Sequence, residues 1–107
     1  MLWKIEFYSQ KVEDGINEWP KGLQAKFAWV SEAIEKVGPA ELGMPHVSPL
    51  GHGLFEIRVK AKEGIGRAIF CTIKGRIVIV LNDFIKKTQK TPPSEIALAK
   101  KRMAEVK

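Results

Sequence analysis

Residues 54–84 read LFEIRVKAKEGIGRAIFCTIKGRIVIVLNDF, and the alternation inside this stretch decides the fold. From Leu54 to Lys60, Phe55, Ile57 and Val59 alternate with Glu56, Arg58 and Lys60. That is the period of a strand with one buried face, and it gathers the three charged side chains on the other. Lys62-Glu63-Gly64 predicts a turn, Gly66 to Ile73 a second strand, Lys74-Gly75 a tight turn, and Arg76 to Phe84 a third strand. Ile77 to Leu81 is apolar at every position, so this last strand is expected to be central and covered on both sides. Short turns between such strands make an antiparallel meander.

Working outward, the segment from Pro39 to Gly53 is rich in glycine and proline, holds both histidines, and is expected to be an irregular loop. Before it, Leu23, Phe27, Val30, Ile34 and Val37 form the apolar stripe of a helix that Gly38-Pro39 stops. Val12, Ile16 and Trp19 predict a shorter helix ahead of Pro20, which Gly15 weakens. Trp3, Ile5 and Phe7 alternate with Lys4, Glu6 and Tyr8 as an opening strand. Past the meander, Thr91 is expected as an N-cap with Pro92 at the first helical position. The final helix then puts Ile96, Ala99, Met103 and Val106 inward and Lys100, Lys101 and Arg102 toward solvent. The expected architecture is a single α+β domain over residues 1–107. Its order is β-α-α-β-β-β-α, with a small antiparallel sheet backed by two N-terminal helices and followed by a C-terminal helix.

Charge is divided unevenly along this chain. Residues 1–53 carry 5 Lys/Arg against 7 Asp/Glu, a net of −2, whereas residues 54–107 carry 13 against 5, a net of +8. A basic half of that kind fits a polyanionic partner. Cys71 is the only cysteine, which excludes an intrachain disulfide and fits a reducing compartment. No apolar run approaches the roughly 20 residues of a membrane helix, and the N-terminus lacks a signal-peptide block. A cytoplasmic protein without membrane association is expected.

Few residues offer chemistry. His46 and His52 lie in one loop without the further ligands that a zinc site needs, so no metal and no cofactor are expected. Cys71 falls inside a strand and reads as a small core residue. Trp3, Trp19 and Trp29 sit at spacings compatible with packing. Gly64-Ile65-Gly66 lacks the rest of a phosphate-loop pattern. The basic residues stand out by position. Arg58 and Arg67 lie on consecutive strands of a hairpin, and Lys86 and Lys87 leave the end of the next strand, with Arg67 and Lys87 expected at the surface. Converging guanidinium groups grip phosphate oxygens bidentately and stabilise charge that grows on them.

Three stretches carry a resemblance over essentially the whole chain: Leu54-Phe55-Glu56-Ile57-Arg58-Val59, Gly66-Arg67-Ala68-Ile69-Phe70, and Phe84-Ile85-Lys86-Lys87-Thr88-Gln89-Lys90-Thr91-Pro92 with Glu95 and Ala99 beyond. They resemble the phage-derived HigB-like branch of the RelE/ParE toxin superfamily. The resemblance implies a RelE-like fold and a type II toxin, a metal-independent endoribonuclease that cleaves messenger RNA on the ribosome through attack of the 2′-hydroxyl on phosphorus. It implies a cognate antitoxin, of helix-turn-helix type, in a hetero-oligomeric complex. By position, Arg67 would bind the scissile phosphate, and Arg58 would orient it or help activate the 2′-hydroxyl. Lys87, with Lys86, would serve the leaving 5′-oxygen. Lys60, Lys86, Lys90 and Glu56 would complete the RNA-contacting set, with Glu56 acting as base or as partner to Arg58. Other members of this fold inhibit DNA gyrase or bind nucleic acid without cleaving it. This chain has no histidine in the final strand or the basic segment after it, and no tyrosine near its C-terminus.

Overall fold

A computed structural model describes residues 2–86 and 90–107. The chain runs β1 (Lys4–Phe7), α1 (Gln10–Asn17), α2 (Lys21–Val37), α3 (Pro39–Leu42), β2 (Val47–Gly51), β3 (Leu54–Ala61), β4 (Gly64–Ile73), β5 (Ile77–Lys86) and α4 (Pro93–Val106). The strands form one sheet in the order β1-β5-β4-β3-β2. The meander β3-β4-β5 is antiparallel as expected. The sheet is not wholly antiparallel, because β1 lies parallel to β5. Three helices and β2 lie between β1 and the meander, long enough for the chain to return in the same direction.

β5 is central in both senses. It pairs with β1 and β4, and its two faces feed two cores. Val78 and Val80 pack with Leu23, Phe27, Val30 and Ile34 of α2, while Ile79 and Leu81 pack with Ala99 of α4. Opposite Ile69 and Phe70 the register slips by one residue, leaving Leu81 as the extra member of the ladder. Its carbonyl accepts a 2.6 Å hydrogen bond from Arg102. Arg102 therefore does not project into solvent: it folds back to that carbonyl with its guanidinium carbon 4.7 Å from the Tyr8 ring centroid.

The segment from Pro39 to Gly53 is not irregular. Pro39 starts the short helix α3, where a missing N–H costs nothing. Residues Val47–Gly51 then pair antiparallel with β3. Proline argues against a central strand, but β2 is the edge strand, where Pro49 is tolerated. The start of α4 also differs. Pro92 is its N-cap and Pro93 holds the first turn, so Thr91 does not cap the helix. Its hydroxyl donates to the Glu56 carboxylate instead.

Two glycines are dictated by packing. A Cβ on Gly15 would stand 2.8 Å from Asp83 Oδ1, which explains a poor helix former inside α1. A Cβ on Gly66 would stand 2.6 Å from the ring of Trp19. That indole is buried, packs edge-on against Phe27 at 5.7 Å and donates to Asp83 at 3.1 Å, so it has no room to retreat. Gly66→Ala is expected to destabilise by about 1–3 kcal/mol through overpacking. Chemical denaturation checks this, and an unchanged midpoint would mean that the indole repacks freely.

Candidate functional site

The hairpin of β3 and β4 sets Arg58 directly opposite Arg67. Paired residues of an antiparallel ladder point to the same face, and so do residues two apart along a strand. Glu56, Arg58 and Lys60 therefore share the α4 face of the sheet with Arg67. β5 extends the rows, with Phe84 opposite Arg67 and Lys86 opposite Ile65.

Glu56 organises this face. It is 1% exposed, and its Oε1 accepts from Arg58 Nε at 3.1 Å and lies 3.0 Å from Arg58 Nη2. Oε2 accepts from the Thr91 hydroxyl and lies 3.9 Å from Arg67 Nε. The carboxylate thus ties β3 to β4 and to the entrance of α4. Two guanidinium groups against one carboxylate leave the cluster with a net positive charge.

The arginines differ in access. Arg58 keeps 24% of its side chain exposed. Arg67, expected at the surface, is fully buried. Its strand is the middle one of five, and its guanidinium carbon stands 5.6 Å from the Phe84 ring centroid. Burial presses the Arg67 pKa below the ordinary arginine value, and the nearby Arg58 charge adds to this. The Glu56 carboxylate opposes both. An arginine so placed stays protonated, since the guanidinium pKa starts far above neutrality.

Lys60, Lys86 and Lys90 are exposed. Lys60 and Lys86 flank Ile65 in one cross-sheet row, about 10 Å apart at two strand spacings. The face therefore brings together Glu56, Arg58, Arg67, Lys60 and Lys86. Lys87 lies outside the described residues.

Neither histidine joins this group through its side chain. His46 packs against Trp29, and only its backbone carbonyl meets Arg58, accepting from its N–H at 3.0 Å. His52 lies in the turn between β2 and β3. Among the described residues, no cluster of three or more His, Cys, Asp and Glu side chains suits a metal. Cys71 is a core residue, and burial pushes its thiol pKa up, away from nucleophilic use. No described helix is long and apolar enough to cross a membrane.

Two features escaped sequence reasoning. Trp29 is not a packing residue: it is 58% exposed on α2, beside a groove of about 650 Å³ that Arg58 also lines. The signal was present, since Trp29 falls off the stripe of Leu23, Phe27, Val30 and Ile34. Asp83 is the second. It lies on the opposite face from Arg67 and accepts from Trp19, and burial raises its carboxyl pKa. A family model described as phage-derived protein Gp49-like (DUF891) matches residues 14–104. No curated protein matches the chain.

Proposed function

Because the chain belongs to the Gp49-like family of phage-derived proteins, within the RelE/HigB-like toxins of toxin–antitoxin systems, we propose that it is a ribosome-dependent messenger-RNA endoribonuclease. The observation that carries this reading is the cross-strand pair Arg58 and Arg67, held over one buried carboxylate on a basic face. A surface that only needs to attract nucleic acid has no use for guanidinium groups locked at one point. A site that binds one phosphate as its charge grows does.

In this reading the 2′-oxygen attacks the adjacent phosphorus and the bond to the 5′-oxygen breaks. The 2′-hydroxyl loses its proton and the departing 5′-oxygen gains one, leaving a cyclic phosphate and a 5′-hydroxyl. Arg58, the exposed member, contacts the phosphate and orients the 2′-hydroxyl. Arg67 lies behind it and supplies positive field from a desolvated position, where charge acts more strongly than in water. Glu56 has both oxygens engaged, which suits it to hold the arginines rather than to accept a proton. Lys86 and Lys87 serve the leaving oxygen, and Lys60 and Lys90 meet flanking phosphates. The family implies a cognate antitoxin, which in this reading covers the basic face.

Induction of the chain is expected to arrest growth. Primer extension on a translated transcript should show cuts within codons. Cleavage of a bare model RNA at high protein concentration should persist with a chelator, because cations of the chain do the work of a divalent ion. Intact messages with accumulating DNA breaks would replace this reading by inhibition of DNA gyrase. Loss of cleavage on chelation, restored by one metal, would overturn the mechanism.

A further inference from the structure

We propose that the groove between α2 and the open end of β3 holds one unpaired base of an RNA strand, beside the phosphate bound at Arg58. This inference rests on the reading of RNA as the substrate and names a subsite for it.

Pairing between β2 and β3 stops at Val47 and Ile57. Beyond it, residues 58–60 of β3 stay paired with β4 but leave their other edge open, and that edge lines the groove beside α2, with Val59 on the α2 face. Its volume of about 650 Å³ falls within the range of pockets that enclose small organic ligands. Ala25, Val30 and Val59 supply an apolar lining. Trp29 stands at the wall with more than half its surface exposed, and the His46 ring packs against it at 5.2 Å with an interplanar angle of 65°. That contact covers one edge of the indole and leaves the rest of the ring open to the groove.

The charged members of the lining are Lys26, Arg58 and Lys60, and among the described residues no acidic one lines the groove. Lys26 is itself held there by donating to the Lys60 carbonyl. An exposed aromatic wall inside a cationic rim is the combination that binds single-stranded nucleic acid, with stacking for the base and cations for the backbone. Arg58 belongs both to this lining and to the phosphate cluster around Glu56. One nucleotide can therefore place its base in the groove and its phosphate at that guanidinium. Stacking on an indole is tolerant of sequence, so the subsite anchors a nucleotide without selecting its identity.

The test uses the full chain and a short single-stranded RNA blocked by 2′-O-methyl groups, so that binding is read without cleavage. At low salt, where the phosphate contribution is strongest, Trp29→Ala is expected to weaken binding by on the order of ten-fold. Trp29→Phe should retain most of the affinity. An RNA carrying one abasic position should lose a comparable factor against the wild-type chain and little more against Trp29→Ala, because both changes remove the same contact. Arg58→Ala should weaken intact and abasic RNA alike. Equal affinities of Trp29→Ala and wild type for the blocked RNA, with ribosome-bound message still cleaved, would overturn the subsite and leave the endoribonuclease reading standing. Absence of RNA binding by the wild-type chain would overturn both. An extended acidic peptide that loses affinity with Trp29→Ala, while RNA does not, would assign the groove to a protein partner and also overturn the proposal.

Discussion

Arg58→Ala is expected to abolish growth arrest and cleavage of ribosome-bound message while the protein still folds. The side chain reaches solvent, and its removal leaves Glu56 accepting from Thr91 with Arg67 alongside. A stability loss of about 1.5–3 kcal/mol is the scale for a hydrogen bond to a charged group. Loss of a group that stabilises transition-state charge costs a factor of about 10² or more in rate. The two effects separate in one experiment, with a lowered midpoint but a cooperative thermal transition, and no cuts by primer extension. Lys87→Ala should behave the same way. Arg67→Ala should not, because that side chain is buried and its loss removes packing as well as charge. It should lose both activity and stability. Full growth arrest by Arg58→Ala would dismiss the site, whatever the target.

The largest change in stability is expected from Glu56→Ala. The carboxylate binds three groups from three parts of the chain: Arg58 on β3, Arg67 on β4 and Thr91 ahead of α4. Removing it leaves the Arg67 guanidinium buried without its neighbouring negative charge. Breaking a buried ion pair from one side costs about 3–5 kcal/mol. Glu56→Gln should fall between wild type and alanine, since an amide oxygen still accepts from Thr91 but carries no charge. Denaturant midpoints in that order are the expected result. If Glu56→Ala melted like wild type, the carboxylate would not be the tie between the sheet and α4. A catalytic base at this position predicts a different pattern, in which Glu56→Gln loses cleavage at full stability.

The meander was legible because alternation is a local property. A period of two in residues 54–60 and a doubly apolar run at 77–81 leave little choice of element or position in the sheet, whereas the one-residue slip between β4 and β5 had no signal in the sequence. The same periodicity put Arg58 and Arg67 on facing strands and gathered Glu56, Arg58 and Lys60 on one side. The stripe on α2 from Leu23 to Ile34 and the inward face of α4 were equally local, although Val37, expected on that stripe, is half exposed at the end of the helix.

Burial and pairing between distant segments were not legible. Nothing in a charged residue's neighbours says that the chain will later cover it, so Arg67 read as a surface charge although β4 became the middle strand. Thr91 reads as a cap because threonine before proline is one. A second proline moved the helix start along, and a carboxylate 35 residues away took the hydroxyl. The glycines and prolines of residues 39–53 read as a loop, but Val47–Gly51 became a strand because the sheet placed it at its edge, where Pro49 is tolerated. The number and kind of cations came from composition and pattern. Which of them faces solvent, which is held in reserve behind Glu56, and which shares a groove with Trp29 was decided by long-range packing, because burial depends on what the rest of the chain brings alongside.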